Sequence, residues 1–136
     1  MSKTAKVIIF SLIGAFVLCC GGGGAGLFFF VDSKTKAAKT ATGDFLAALE
    51  AGDNQAAYEL LCAPTQVLYG PEAFDAYVKK NPPTSHDMGW GGSYSNDNGH
   101  ETATITATVT FKSGSESHEF ELMKQEGTWK VCGNPY

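Results

Sequence analysis

Arginine is absent from this chain of 136 residues, and all ten of its side-chain cations are lysines. From residue 40 onward Lys79, Lys80, Lys112, Lys124 and Lys130 stand against thirteen carboxylates, a formal balance of −8. Nucleic acid is therefore not an expected partner, because such binding is driven by cations that neutralise phosphate. Histidine is scarce too: His86, His100 and His118 fall singly along the chain, without the clustered spacing that a metal site needs. No cofactor is implied, no Asn-x-Ser/Thr acceptor occurs, and no internal repeat or catalytic motif at discriminating spacing is visible. Cysteine is limited to four residues, and two of these, Cys19 and Cys20, lie inside the longest uncharged run.

That run is the chain's most pronounced feature. Val7 to Val31 is twenty-five residues without a charge, bracketed by Lys6 and Asp32, and Ser11 is its one conventionally polar side chain. As a helix rising ~1.5 Å per residue it would be about 37 Å long, more than the ~30 Å hydrocarbon core of a bilayer. A transmembrane helix is expected over 7–31, preceded by a cytoplasmic terminus at 1–6. A cleaved secretory signal is the competing reading, but its apolar core is ~7 to 15 residues ending at small side chains. Here Leu27 to Val31 would be left as a greasy new terminus. A lipoprotein site at Cys19 or Cys20 is poorly formed, since Leu18 precedes the first and Cys19 the second. Within the glycine-rich stretch, Gly22 and Gly26 have the spacing that lets membrane helices pack closely. Self-association into a homo-oligomer is one reading of that pair, and a locally weak helix without a partner is the other.

Charge does not orient the segment, because Lys3 and Lys6 with the amino terminus face Lys34, Lys36 and Lys39 on the far side. Cysteine breaks the tie. Cys62 and Cys132 are an even pair in a small domain, which suits an oxidising compartment, although two buried thiols in a cytosolic domain would also fit. The expected location is the cell membrane, single-pass, with the amino terminus inside and the carboxy-terminal domain outside. Residues 32–39 form a basic juxtamembrane collar, and residues 40–136 suffice for one extracytoplasmic domain with its own core.

The collar leads into a predicted helix over about 35–51, where Phe45, Leu46 and Leu49 fall on one stripe and Gly52 occupies the left-handed cap position. Asp53 reads as the cap of a second helix, from Asn54 to about Cys62, that Pro64 stops. Thr65 to Tyr69 reads as a short extended piece. Gly70 and Pro71 then open a third helix carrying Phe74, Tyr77 and Val78, which ends before Asn81.

Beyond His86 the apolar period becomes two. Ala103, Ile105, Ala107, Val109 and Phe111 alternate with threonines from Thr102 to Thr110, the pattern of a half-buried antiparallel strand. A two-residue turn at Asn98-Gly99 would set Tyr94 opposite Ala103, Gly92 opposite Ile105, Trp90 opposite Ala107 and Met88 opposite Val109. A turn at Ser113-Gly114 would pair Val109 with His118, Ala107 with Phe120 and Ile105 with Leu122, and one at Glu126-Gly127 would pair Leu122 with Val131. All three turns put one apolar face toward the helices. The fold class is α+β: three helices on a curved antiparallel meander of four to five strands, behind an N-terminal transmembrane helix.

This order of elements resembles the nuclear transport factor 2-like superfamily, with its cystatin-like relatives, over about residues 36 to 132. Asp44 to Asp53, Tyr58 to Cys62 and Gly127 to Cys132 are similar, more narrowly, to a bacterial family of membrane-anchored or lipoprotein domains of unknown function. The resemblance implies an NTF2-like cone with a cavity between sheet and helices, used for catalysis by some members and for binding or assembly by others. It also implies a Cys62–Cys132 disulfide, which would close a loop of about seventy residues and contribute up to ~4 kcal/mol in the chain-entropy model. Alternation places Cys132 on the face opposite Trp129 and Val131, so the bridge calls for a bulge or the strand end at Gly133.

The expected cavity lining is Tyr58, Tyr77, Trp90, Tyr94, His118 and Trp129, with Lys124 at the rim. His118 could serve as a general base or a pH-sensitive contact, but no carboxylate is placed by sequence to orient it. Asp44 lies at the edge of the buried stripe, where a solvated helix face is its natural place. No catalytic residue is assigned. The leading expectation is a non-catalytic, membrane-anchored interaction module that takes a small hydrophobic ligand or a protein partner. The alternatives are an isomerase- or dehydratase-like enzyme acting on a small hydrophobic substrate in the cone, and a subunit that assembles through its glycine-rich helix.

Overall fold

The expected lysine collar is helical where the structure describes it, since residues 34–50 are continuous helix, α1. The computed structural model describes residues 34–134. The expected membrane helix at 7–31, with Gly22 and Gly26, lies outside them. No helix among the described residues is long and apolar enough to cross a membrane. The compact unit they form runs from Lys34, and Lys34, Lys36 and Lys39 lie on α1.

One stripe of α1 is buried: Ala38, Thr42, Phe45, Leu46 and Leu49. Thr42 satisfies its buried hydroxyl by donating to the carbonyl of Ala38 at 3.0 Å. Gly52 ends the turn after α1 with φ +76°, and Asp53 accepts from the Ala56 N–H at 3.1 Å to cap α2, Asn54–Glu59. The segment from Thr65 to Tyr69 is helical rather than extended, within α3, Ala63–Tyr69. Pro64 sits in its first turn, where a fixed φ and a missing N–H are harmless, so it opens α3 rather than stopping α2, which ends at Glu59 instead of about Cys62. Then follows α4, Pro71–Lys80, with Phe74 and Val78 buried. Among the described residues, four helices therefore precede the sheet instead of three.

The sheet is an antiparallel meander in the order β1-β2-β3-β4, comprising Pro83–Asp97, His100–Phe111, Gly114–Gln125 and Thr128–Cys132. Asn98-Gly99 makes the expected turn, and Tyr94 pairs with Ala103 and Gly92 with Ile105. Beyond Gly92 the register shifts: Met88 meets Ala107 and His86 meets Val109, because a bulge between Met88 and Gly92 takes up the extra residues. The next turn uses Lys112-Ser113, since Phe111 pairs with Gly114. His118 consequently faces Ala107 rather than Val109, Phe120 faces Ile105 and Leu122 faces Ala103. This slip of two residues preserves which side chains point inward, so the apolar face survives it. Leu122 pairs with Val131 as expected.

The core lies between this face and the helices. Phe45 of α1 stacks its ring 6.4 Å from Phe74 and 6.4 Å from Phe120, and Ile105, Leu122 and Val131 close around them, all at most 2% exposed. Such rings fill space densely. The centre of the expected cone is thus occupied by side chains. Cys62 and Cys132 form a disulfide with Cα atoms 5.2 Å apart. Its approach is lateral: the Cys62 N–H donates to the Val131 carbonyl at 2.8 Å, and the Val131 N–H donates to that of Leu60 at 2.9 Å. Because Leu60–Cys62 runs alongside β4, Cys132 needs no place on the helix-covered face to reach its partner.

Candidate functional site

Past the core, the inward face of the sheet continues into a polar end. Glu101 precedes Ala103 by one alternation on β2 and Lys124 follows Leu122 by one on β3, so both side chains point to the helix side. Lys124 pairs with Trp129, and Tyr94 comes in from β1. The carboxylate of Glu101 accepts from the Tyr94 hydroxyl at 2.7 Å, from Lys124 Nζ at 2.9 Å and from Lys34 Nζ of α1 at 3.4 Å. Lys34 Nζ also stands 6.0 Å from the Tyr94 ring centroid, and Trp129 meets Tyr94 edge-on at 6.4 Å.

The electrostatics follow from these contacts. The Tyr94 hydrogen bond, then the one from Lys124, bring the Glu101 carboxyl down to about 2, outweighing its partial desolvation. Tyr94 is raised above the ordinary phenol range, chiefly because its hydroxyl donates to that carboxylate. The group is an anion enclosed by two cations and a donor, and its bonds clamp α1 at Lys34 to three strands.

Of the six side chains expected in one cavity, Tyr94 and Trp129 alone meet here. Tyr58 donates to the Gln66 carbonyl at 2.8 Å while Gln66 Nε2 donates back to the Tyr58 carbonyl at 2.9 Å, which locks α2 to α3. Tyr77 is 40% exposed beside Tyr69, with ring centroids 6.5 Å apart. His118 is half-buried between Phe111 at 6.1 Å and Phe120 at 6.3 Å, with Glu116 3.4 Å from its Nε2. Tyr77, Lys80, Asn81, Phe111, Glu116 and His118 line an open groove of about 250 Å³ at that margin. Trp90 joins neither group: it is wholly exposed, because the bulge removes it from the position opposite Ala107.

The two polar ends are far apart. His118 pairs with Ala107, six residues along β2 from Glu101, which at ~3.3 Å per residue is about 20 Å. Packed side chains fill the interval. Asp44 is exposed, and no group of three metal-ligating side chains occurs among the described residues. Two contacts had no distinctive sequence signal. Glu101 is a lone carboxylate one residue into a strand, and only the extension of the Ala103 alternation would have turned it inward. His86 of β1 bonds through Nδ1 to Glu50, near the end of α1, a pairing set by how the helix crosses the sheet.

No family model matches this chain, and no curated protein matches it. Among solved structures it is similar to a SEC-C motif containing protein from Rhodopseudomonas palustris, at 17% identity and a TM-score of 0.46, over 64% of this chain and 68% of that one. It is similar to a protein described as an NTF2-like transpeptidase from Campylobacter jejuni, at 15% identity and a TM-score of 0.44, over 66% and 92%. A third is a single-residue variant of a function-unknown protein from Mycobacterium tuberculosis, at 14% identity and a TM-score of 0.46, over 71% and 66%, so the chain spans just under two thirds of that neighbour.

Proposed function

We propose that this chain is a single-pass membrane protein displaying an NTF2-like interaction module, without catalytic activity, on the outer side of a cell membrane. The observation that carries this reading is the separation of the polar groups: Glu101 with Tyr94 lies about 20 Å along β2 from His118, with a ring-filled core between them. Acid–base work on one substrate requires an acid, a base and an electrophile within hydrogen-bond reach of it. A partner of protein chemistry suits the surface better than a small molecule suits the centre, since Val67 and Leu68 of α3 are 86% and 74% exposed. The disulfide supports an oxidising compartment.

The orientation is tested by treating intact cells, in a Cys19→Ser, Cys20→Ser background, with a membrane-impermeant thiol reagent. Cys62 and Cys132 are expected to react after reduction only, and a requirement for permeabilised cells would reverse the topology. A photoreactive side chain at position 68 is expected to give a discrete crosslinked product in those cells. Recovery of uncrosslinked chain alone rejects the interaction reading at that surface.

A further inference from the structure

Trp90 carries the largest unexplained apolar exposure in the described residues, 101% of its free surface. Its neighbours explain how it is held there. A Cβ on Gly89 would stand 2.9 Å from the Thr106 carbonyl oxygen, one on Gly91 would stand 3.2 Å from Thr106 Oγ1, and one on Gly92 would stand 3.3 Å from Ile105 Cδ1. The bulge is therefore pressed against β2 backbone-first, and glycine is the residue that allows it. The same Gly92 position is 3.8 Å from Cε of Lys39, and Lys34 reaches Tyr94 and Glu101 a little further along, so this stretch of β1 runs beside residues 34–39 of α1. Lys36 in this segment is exposed. Residues 7–31, which precede this segment in the sequence, carry no charge.

An indole that combines an apolar body with one N–H donor prefers the boundary between hydrocarbon and water, and lysines near it meet lipid phosphate. We propose that the Gly89–Gly92 bulge is a lipid-facing element, in which Trp90 enters the headgroup layer while Lys36 and Lys39 contact lipid phosphates. This inference rests on reading 7–31 as a membrane anchor.

The test reconstitutes the full chain in vesicles of phosphatidylcholine with a minority of phosphatidylglycerol, with or without bromine on the acyl chains, and reads the fluorescence of its two tryptophans. Brominated lipid is expected to quench part of the emission, and Trp90→Phe is expected to abolish that quenching while the Trp129 signal stays. Equal emission in both lipids overturns the proposal, as does quenching that persists in Trp90→Phe. Flotation separates the two readings: a chain that floats with the vesicles but is not quenched loses the bulge proposal and keeps the anchor, whereas a chain that does not float loses both. Shielding of Trp90 from iodide in native membranes, without quenching in vesicles, assigns it to a protein partner and also overturns the proposal.

Discussion

Glu101 shows how one side chain can couple the fold to pH. Its folded value of about 2 lies below the ordinary 4.5, with the Tyr94 hydrogen bond as the largest cause. The stability it contributes is therefore fully present above about pH 4.5 and is lost as pH falls from there through 2. Glu101→Gln is expected to flatten the dependence of melting temperature on pH in that window, and parallel curves for the two proteins would refute the assignment. Part of this site was legible in advance. Tyr94 and Trp129 follow from strict alternation and Lys124 from its place opposite Trp129. Glu101 was not legible, since a carboxylate at the start of a strand reads as solvated until a helix carrying Lys34 is known to cross above it. Trp90 was misplaced for the opposite reason: alternation assigned it a direction in a stretch that the bulge takes out of the regular ladder.

At the scale of elements, the turns that sequence identified were those whose chemistry is explicit. Asn98-Gly99 and Glu126-Gly127 both place two successive residues at positive φ, as a tight hairpin turn requires. At the middle hairpin Gly114, at φ +142°, opens β3 instead of sitting in the loop, so the turn lies one residue earlier than the glycine suggests. Helix α3 was hidden by Pro64, which is compatible with either a stop or a start. The bulge is the element most open to test. Alanine at position 89 would place a methyl 2.9 Å from a backbone oxygen that cannot rotate away. Gly89→Ala is expected to destabilise the domain by about 1–3 kcal/mol, the usual range for forced overpacking. Urea unfolding measures it, and hydrogen exchange should show the amides of Pro83–Asp97 loosening ahead of the other strands; an unchanged midpoint would remove the claim that this close approach is required.

For the molecule as a whole, the disulfide joins residues 70 apart in sequence and ties the helical half to the last strand. Restricting so long a loop in the unfolded chain contributes about 4 kcal/mol in the entropy model. Reduction, or Cys132→Ser, is expected to lower the unfolding free energy by an amount of that order in denaturant titrations, and coincident curves with and without reductant would contradict it. The architecture was legible from the change of period near His86, because burying one face of a sheet under helices forces that patterning on any sequence that adopts it. The lateral approach of Cys62 was not, since periodicity reports which way a side chain points and carries no information on what runs beside a strand. That same approach limits what the sheet can become. With Leu60–Cys62 hydrogen-bonded along the outer margin of β4 at Val131, the backbone there is withdrawn from pairing with another chain. Open-ended fibre growth needs a template on both sides of each unit. The Cys62 segment occupies the margin that a second copy's strand would need beside β4, and the staple at Val131 acts as a stop codon for addition at that strand.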